Sequence, residues 1–186
     1  MTGAPPETAE RDRHRQRRVA GGMALAALWT GVIFWAGPRF AVGADTGPLH
    51  LAALAMLGPG LALAAIIGWI AQARFFDARI IDGSAPAPGT RADAALRVLR
   101  NTAEQALLAV LVWPALAVMV SPGRLGIIPC LGLNFVLARM LFWAGYAHGA
   151  PARSFGFAAT FYPTLAAGFW ALGLLVAGRG AAAIMP

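Results

Sequence analysis

Between Val19 and Ala177 the sequence is a succession of five apolar runs, each about as long as a bilayer is thick. No soluble fold buries that much apolar surface in a chain of 186 residues, of which 59% are hydrophobic and 12% charged. The chain therefore reads as an all-α integral membrane protein, because helices satisfy their own backbone groups in lipid. The spans fall at about Val19 to Gly37, Leu49 to Ala73, Ala92 to Val120, Ile127 to Ala147 and Phe155 to Ala177. Gly58-Pro59-Gly60 should kink the second, and Pro114 should bend the third. Thr90 or Asp93 can cap the third. Arg79-Ile80-Ile81 is expected to lie along the interface, and residues 148–153 to form a loop.

Residues 1–18 end in five arginines between Arg11 and Arg18 and read as a disordered, cationic cytoplasmic tail. The first run resembles a signal peptide in its basic flank. Its apolar stretch is too long, however, and Gly37-Pro38-Arg39 is not a small-x-small cleavage site, so an uncleaved helix is expected. Fifteen arginines and no lysine stand against eight acids. They are spread over helix ends instead of forming a patch beside exposed aromatics, which argues against nucleic acid. Instead they set topology: with the N-terminus inside, Arg74, Arg79, Arg91, Arg97, Arg100 and Arg153 join the tail on the cytoplasmic side. Arg39, Arg124 and Arg179 remain opposite, where the C-terminus is also expected. The single cysteine, Cys130, excludes an intrachain disulfide, and His14, His50 and His148 lack ligand spacing, so no metal site is expected. The basic tail and the lack of an organelle signal fit a bacterial inner membrane, with an endomembrane as the alternative.

Two polar constellations interrupt the apolar runs. Arg97, Asn101 and Glu104 stand at i, i+4 and i+7 on one face of the third span, with Arg100 beside them. One reading makes the arginines interface markers and Asn101 an interhelical hydrogen-bonding group. The other makes the face part of a wet site, and the depth of Glu104 favours it, since a short acid cannot snorkel. On the fourth span, Arg139, then Phe142 or Trp143, then Tyr146 share a face, and Arg139 lies about 10 Å below Tyr146. An arginine at that depth needs an acid, and Glu104 is the membrane-embedded one, so a Glu104–Arg139 pair is expected. Such a pair either fastens the bundle or belongs to a site. With Arg153, these residues would surround a cationic pocket open to the cytoplasm, suited to a small, multiply anionic ligand and favouring a thiolate.

The spacing Arg97-x3-Asn101-x2-Glu104, followed by Arg139-x6-Tyr146-x6-Arg153 with Gly145-Tyr146, resembles the MAPEG superfamily of membrane proteins in eicosanoid and glutathione metabolism. The resemblance covers roughly residues 49–178. It implies a four-helix membrane domain over residues 48–186, preceded here by an extra transmembrane helix and loop over residues 19–47. It also implies a homotrimer, with glutathione bound between subunits near the cytoplasmic face. Arg97, Asn101 and Glu104 would hold the peptide's charged and amide groups, and Arg100 and Arg139 would also bind it. Tyr146 would hydrogen-bond the ligand, Arg153 would stabilise its thiolate, and Arg74 would reach in from the adjacent subunit. The implied activity is a glutathione transferase or peroxidase acting on lipophilic electrophiles. Phe142 stands where some relatives have a tyrosine, and Gln105 where others do. These departures keep a non-catalytic lipid-binding or scaffold role open. A transporter is disfavoured, because no polar stripe crosses the bilayer and no paired half-helices are present.

Overall fold

The computed structural model describes residues 6–43 and 45–178. Arg179 and the first five residues of the basic tail lie outside them. Five helical spans, each long and apolar enough to cross a membrane, make up the described chain. They are built from α1 (Pro6–Ala36), α2 (Pro48–Ala55) with α3 (Leu57–Phe75), α4 (Arg91–Met119), α5 (Ile127–Tyr146) and α6 (Ala150–Val176). The expected kink in the second span is a break between α2 and α3. Pro59 has no N–H for the carbonyl of Ala55 and its ring crowds that oxygen. The helix parts at Met56 and the Ala55 carbonyl lies against Gly132 of α5.

The basic segment expected to be disordered is helical from Pro6 onward and continuous with the first span. Pro6 suits a first helical turn. Glu10 and Asp12 precede Arg13 and Arg15, an order that complements the helix dipole. α6 also starts earlier than its apolar run: Pro151 stands in its first turn and places Arg153 on the helix instead of in the expected loop. Thr90 caps α4 by accepting from the Asp93 amide at 3.3 Å, while Asp93 accepts from the Gly89 amide at 2.7 Å. Ile80, in the turn after α3, is buried, whereas Ile81 is exposed.

The core lies between α4, α5 and α6, with α2–α3 packed on α4 and α5. Trp113 and Phe135 meet edge-on at 6.1 Å in its middle. α6 runs through Pro163, which leaves the Ala159 carbonyl without its helical donor. Asn134 of α5 replaces it: its Nδ2 donates to that carbonyl at 2.8 Å, and its Oδ1 accepts from the Trp29 indole of α1 at 2.8 Å. The extra helix is thereby latched onto the α5–α6 seam. It runs parallel to α6, with Gly22 against Ser154 at one end and Phe34 against Trp170 at the other.

Candidate functional site

The C-terminal ends of α3 and α5 and the N-terminal ends of α4 and α6 meet at one end of the bundle. They enclose a cavity of 820 Å³. Trp69 of α3 forms one wall. Gly89, Thr90, Arg91, Ala94 and Arg97 line it from the start of α4, Trp143, Tyr146 and Ala147 from α5, and Arg153 from α6. Three guanidinium groups and no carboxylate line the cavity. Asp93, just outside, pairs with Arg97.

The backbone between α5 and α6 sets the position of Arg153. Gly149 has φ +89°, open to glycine but strained for other residues, and turns the chain sharply back. A Cβ on Gly145 would stand 2.6 Å from the Ala152 carbonyl oxygen and 2.9 Å from the Arg153 Cα, so glycine is what lets α6 begin so close to α5. The guanidinium carbon of Arg153 consequently lies 4.4 Å from the centre of the Tyr146 ring. Beneath it Tyr146 meets Phe142 edge-on at 5.7 Å, and Arg139 lies 4.5 Å from the Phe142 ring centre. The order cation, ring, ring, cation runs from the cavity into the bundle. A guanidinium over an aromatic face is held there by the ring quadrupole.

Arg139 is 2% exposed and does not line this cavity. Its Nε donates to Thr160 Oγ1 at 3.0 Å, one terminal nitrogen to Asn101 Oδ1 at 2.8 Å and the other to the Gly156 carbonyl at 3.0 Å. The expected Glu104–Arg139 pair does not form within the chain. Neutral acceptors on α4 and α6 take the guanidinium, and Asn101 is the α4 residue turned toward it. Glu104 lies on the outer face of α4, 59% exposed, 3.7 Å from the Nε of a still more exposed Arg100. Arg74, at the end of α3, has its Nε buried without a hydrogen-bond partner and stands outside the cavity lining.

Thus the fold brings Arg97, Tyr146 and Arg153 to one cavity, joins Asn101 to Arg139 below it, and leaves Arg100 and Glu104 on the outer surface. Sequence reasoning assigned Arg91 to topology alone and passed over Trp69 as a site residue. The signal for Arg91 was its spacing, since 91, 94 and 97 follow one helix face. Trp69 and Trp143 meet edge-on at 6.1 Å beneath the cavity. Beside it, Leu61, Ala65, Ile66, Val136, Met140 and Trp143 line an apolar groove of 790 Å³ between α3 and α5. The groove shares Trp143 and Ala147 with the polar cavity.

Fold and site together define a polytopic helical membrane protein with a cationic cavity at one end of its bundle. The MAPEG family model matches residues 49–173, and the chain belongs to that family. No curated protein and no solved structure matches it. α1 precedes the matched region, so the latch through Trp29 and Asn134 joins an added helix to the family domain.

Proposed function

We propose that the protein is a membrane-bound glutathione transferase or peroxidase that uses the glutathione thiolate against lipophilic electrophiles. The observation that carries this reading is the convergence of Arg91, Arg97, Arg153 and Tyr146 on one cavity free of carboxylates. Glutathione brings two carboxylates and a thiol, and guanidinium groups bind carboxylates through paired hydrogen bonds. Arg91 and Arg97 would hold the carboxylates. The Arg153 guanidinium makes no hydrogen bond or ion pair to protein among the described residues, so its donors are available to a sulfur anion. A cation beside a thiol lowers its pKa from about 8.5 toward neutrality. In the transfer reaction the thiolate sulfur forms a bond to the electrophilic carbon, whose leaving group departs with the electron pair. The adjoining apolar groove supplies a lateral approach from the bilayer.

The arginine distribution supports an orientation with the cavity facing the cytoplasm, where glutathione is present. Arg74, Arg79, Arg91, Arg97, Arg100, Arg153 and the basic turns of α1 stand at the cavity end, and Arg39 and Arg124 at the other. Charge at a lipid-facing position is expensive, so the outward Arg100–Glu104 pair favours an assembly that covers this face. A homotrimer, as in other family members, would bring Arg74, Arg100 and Glu104 to a neighbour's site, and a bacterial inner membrane is the proposed location. A second reading, a non-catalytic lipid-binding scaffold, draws on Phe142. It fills the space between Arg139 and Tyr146 without offering a hydroxyl. The two readings part on glutathione binding to the purified protein, followed as thiolate absorbance with Arg153→Ala beside it.

A further inference from the structure

α1 does not end at the membrane surface. Val19 to Gly37 covers about 28 Å, close to the thickness of the hydrocarbon core. The turns from Pro6 to Arg18 therefore rise about 20 Å beyond it. They carry Arg11, Arg13, Arg15, Arg17 and Arg18 against Glu7, Glu10 and Asp12. Arg17 and Arg18 fall at headgroup depth, and the other three stand further out, in water.

The packed part of the same helix fixes which way these arginines turn. Gly22, Ala26 and Ile33 face the bundle. At 100° per residue, Arg11, Arg15 and Arg18 fall within about 60° of that direction, as does Asp12, while Arg13 and Arg17 fall on the opposite side. Asp12 and Arg15 line a recess of 410 Å³ that α1 forms with Ala150, the first residue of α6, so the inward face carries three arginines against one acid. Gly22 touches Ser154, the neighbour of Arg153. Arg18, Arg15 and Arg11 therefore rise about 6, 10 and 16 Å above the level of the turn that carries Arg153, on a helix about 10 Å to its side. Arg18 stands near the Debye length of about 8 Å at physiological salt, and Arg15 and Arg11 extend the column outward from it.

We propose that the inward column Arg11, Arg15 and Arg18 is an electrostatic guide that draws the anionic co-substrate from the cytosol to the cavity mouth. The proposal rests on the glutathione reading. An anionic membrane surface depletes a monoanion about threefold and a dianion about tenfold in the layer next to it. A ligand with two carboxylates has to cross that layer to reach Arg97 and Arg153. A cationic column projecting through it reverses the local potential and raises the encounter rate, and such steering fades with ionic strength. Arginines that served topology alone would act equally from either side of the helix.

The test uses the full chain in nanodiscs of zwitterionic lipid, with glutathione binding followed by stopped-flow thiolate absorbance over a range of salt. The combined variant Arg11→Gln, Arg15→Gln, Arg18→Gln is expected to lower the association rate about three- to tenfold at low salt. Its dissociation rate should be unchanged, and the difference should vanish near 1 M salt. Arg13→Gln with Arg17→Gln should change the rate less than about twofold. Equal losses from the two variants, or an association rate indifferent to salt, would overturn the guide. Discs containing anionic lipid should enlarge the loss, since the column there also offsets the depletion of anions at the surface. No thiolate signal from the unmodified protein would remove the glutathione reading itself, and the guide with it.

Discussion

The Arg153 guanidinium stands 4.4 Å above the Tyr146 ring, although the two residues lie on different helices with a sharp turn between them. The ring orients the cation without consuming its N–H groups, so orientation and donation to a ligand are separate tasks. Tyr146→Phe keeps the ring face and should retain most of the thiolate signal, losing only what the hydroxyl contributes. Tyr146→Leu removes the stacking surface, worth about 0.5–2 kcal/mol. It should weaken the signal between about twofold and thirtyfold, with the protein still folded by thermal melting.

Arg139 makes its contacts with protein, which separates its role from that of Arg153. Asn101→Leu leaves one N–H of a buried guanidinium unsatisfied and is expected to destabilise the bundle by about 1–3 kcal/mol. Glu104→Gln removes half of an exposed pair and should change the stability of the isolated chain by less than about 1 kcal/mol. Comparable losses from the two variants, measured by thermal unfolding in detergent, would return Glu104 to Arg139.

The Asn134 bridge makes a prediction for a pair of substitutions. Asn134→Leu strands the Ala159 carbonyl and the Trp29 indole together and should cost about 1–3 kcal/mol. Pro163→Ala restores a helical N–H to that carbonyl. The cost of Asn134→Leu should therefore be smaller in the Pro163→Ala background, a coupling that a double-mutant cycle measures. Additive effects would mean that the amide does not substitute for the missing proline donor.

Much of this architecture could be read along the chain, because bilayer thickness and proline chemistry act locally. The apolar runs gave the five spans, and Pro59 marked the break at Met56. The motif spacing placed Arg97, Tyr146 and Arg153 in one neighbourhood, since helix ends that share a membrane face must meet. What was not legible depended on rotation between helices. Asn101 and Glu104 are three residues apart on α4, and spacing alone does not say which of them turns toward Arg139. The Asn134 bridge needs α5, α6 and α1 in place together. The start of α6 at Ala150 was hidden because its first turn carries Pro151 and Arg153, which read as loop and interface.

Gly145 is the position where backbone proximity is most exposed to test. Gly145→Leu puts side-chain atoms where the Ala152 carbonyl lies and must push the start of α6 outward. The variant should keep its helical content but lose Arg153-dependent thiolate formation. Gly149→Ala, forced to φ +89°, should cost about 1 kcal/mol and melt lower with the site otherwise intact.

The most direct measurement is the thiolate difference absorbance of glutathione added to the detergent-purified protein near neutral pH, with and without Arg153→Ala. A free thiol is only a few percent ionised at that pH. The unmodified protein should therefore raise the thiolate fraction about tenfold, and Arg153→Ala should abolish the rise while leaving the melting curve in place. An equal signal from both proteins would contradict the role given to Arg153. No binding at millimolar glutathione would contradict the glutathione reading and leave a lipid-binding member of the family.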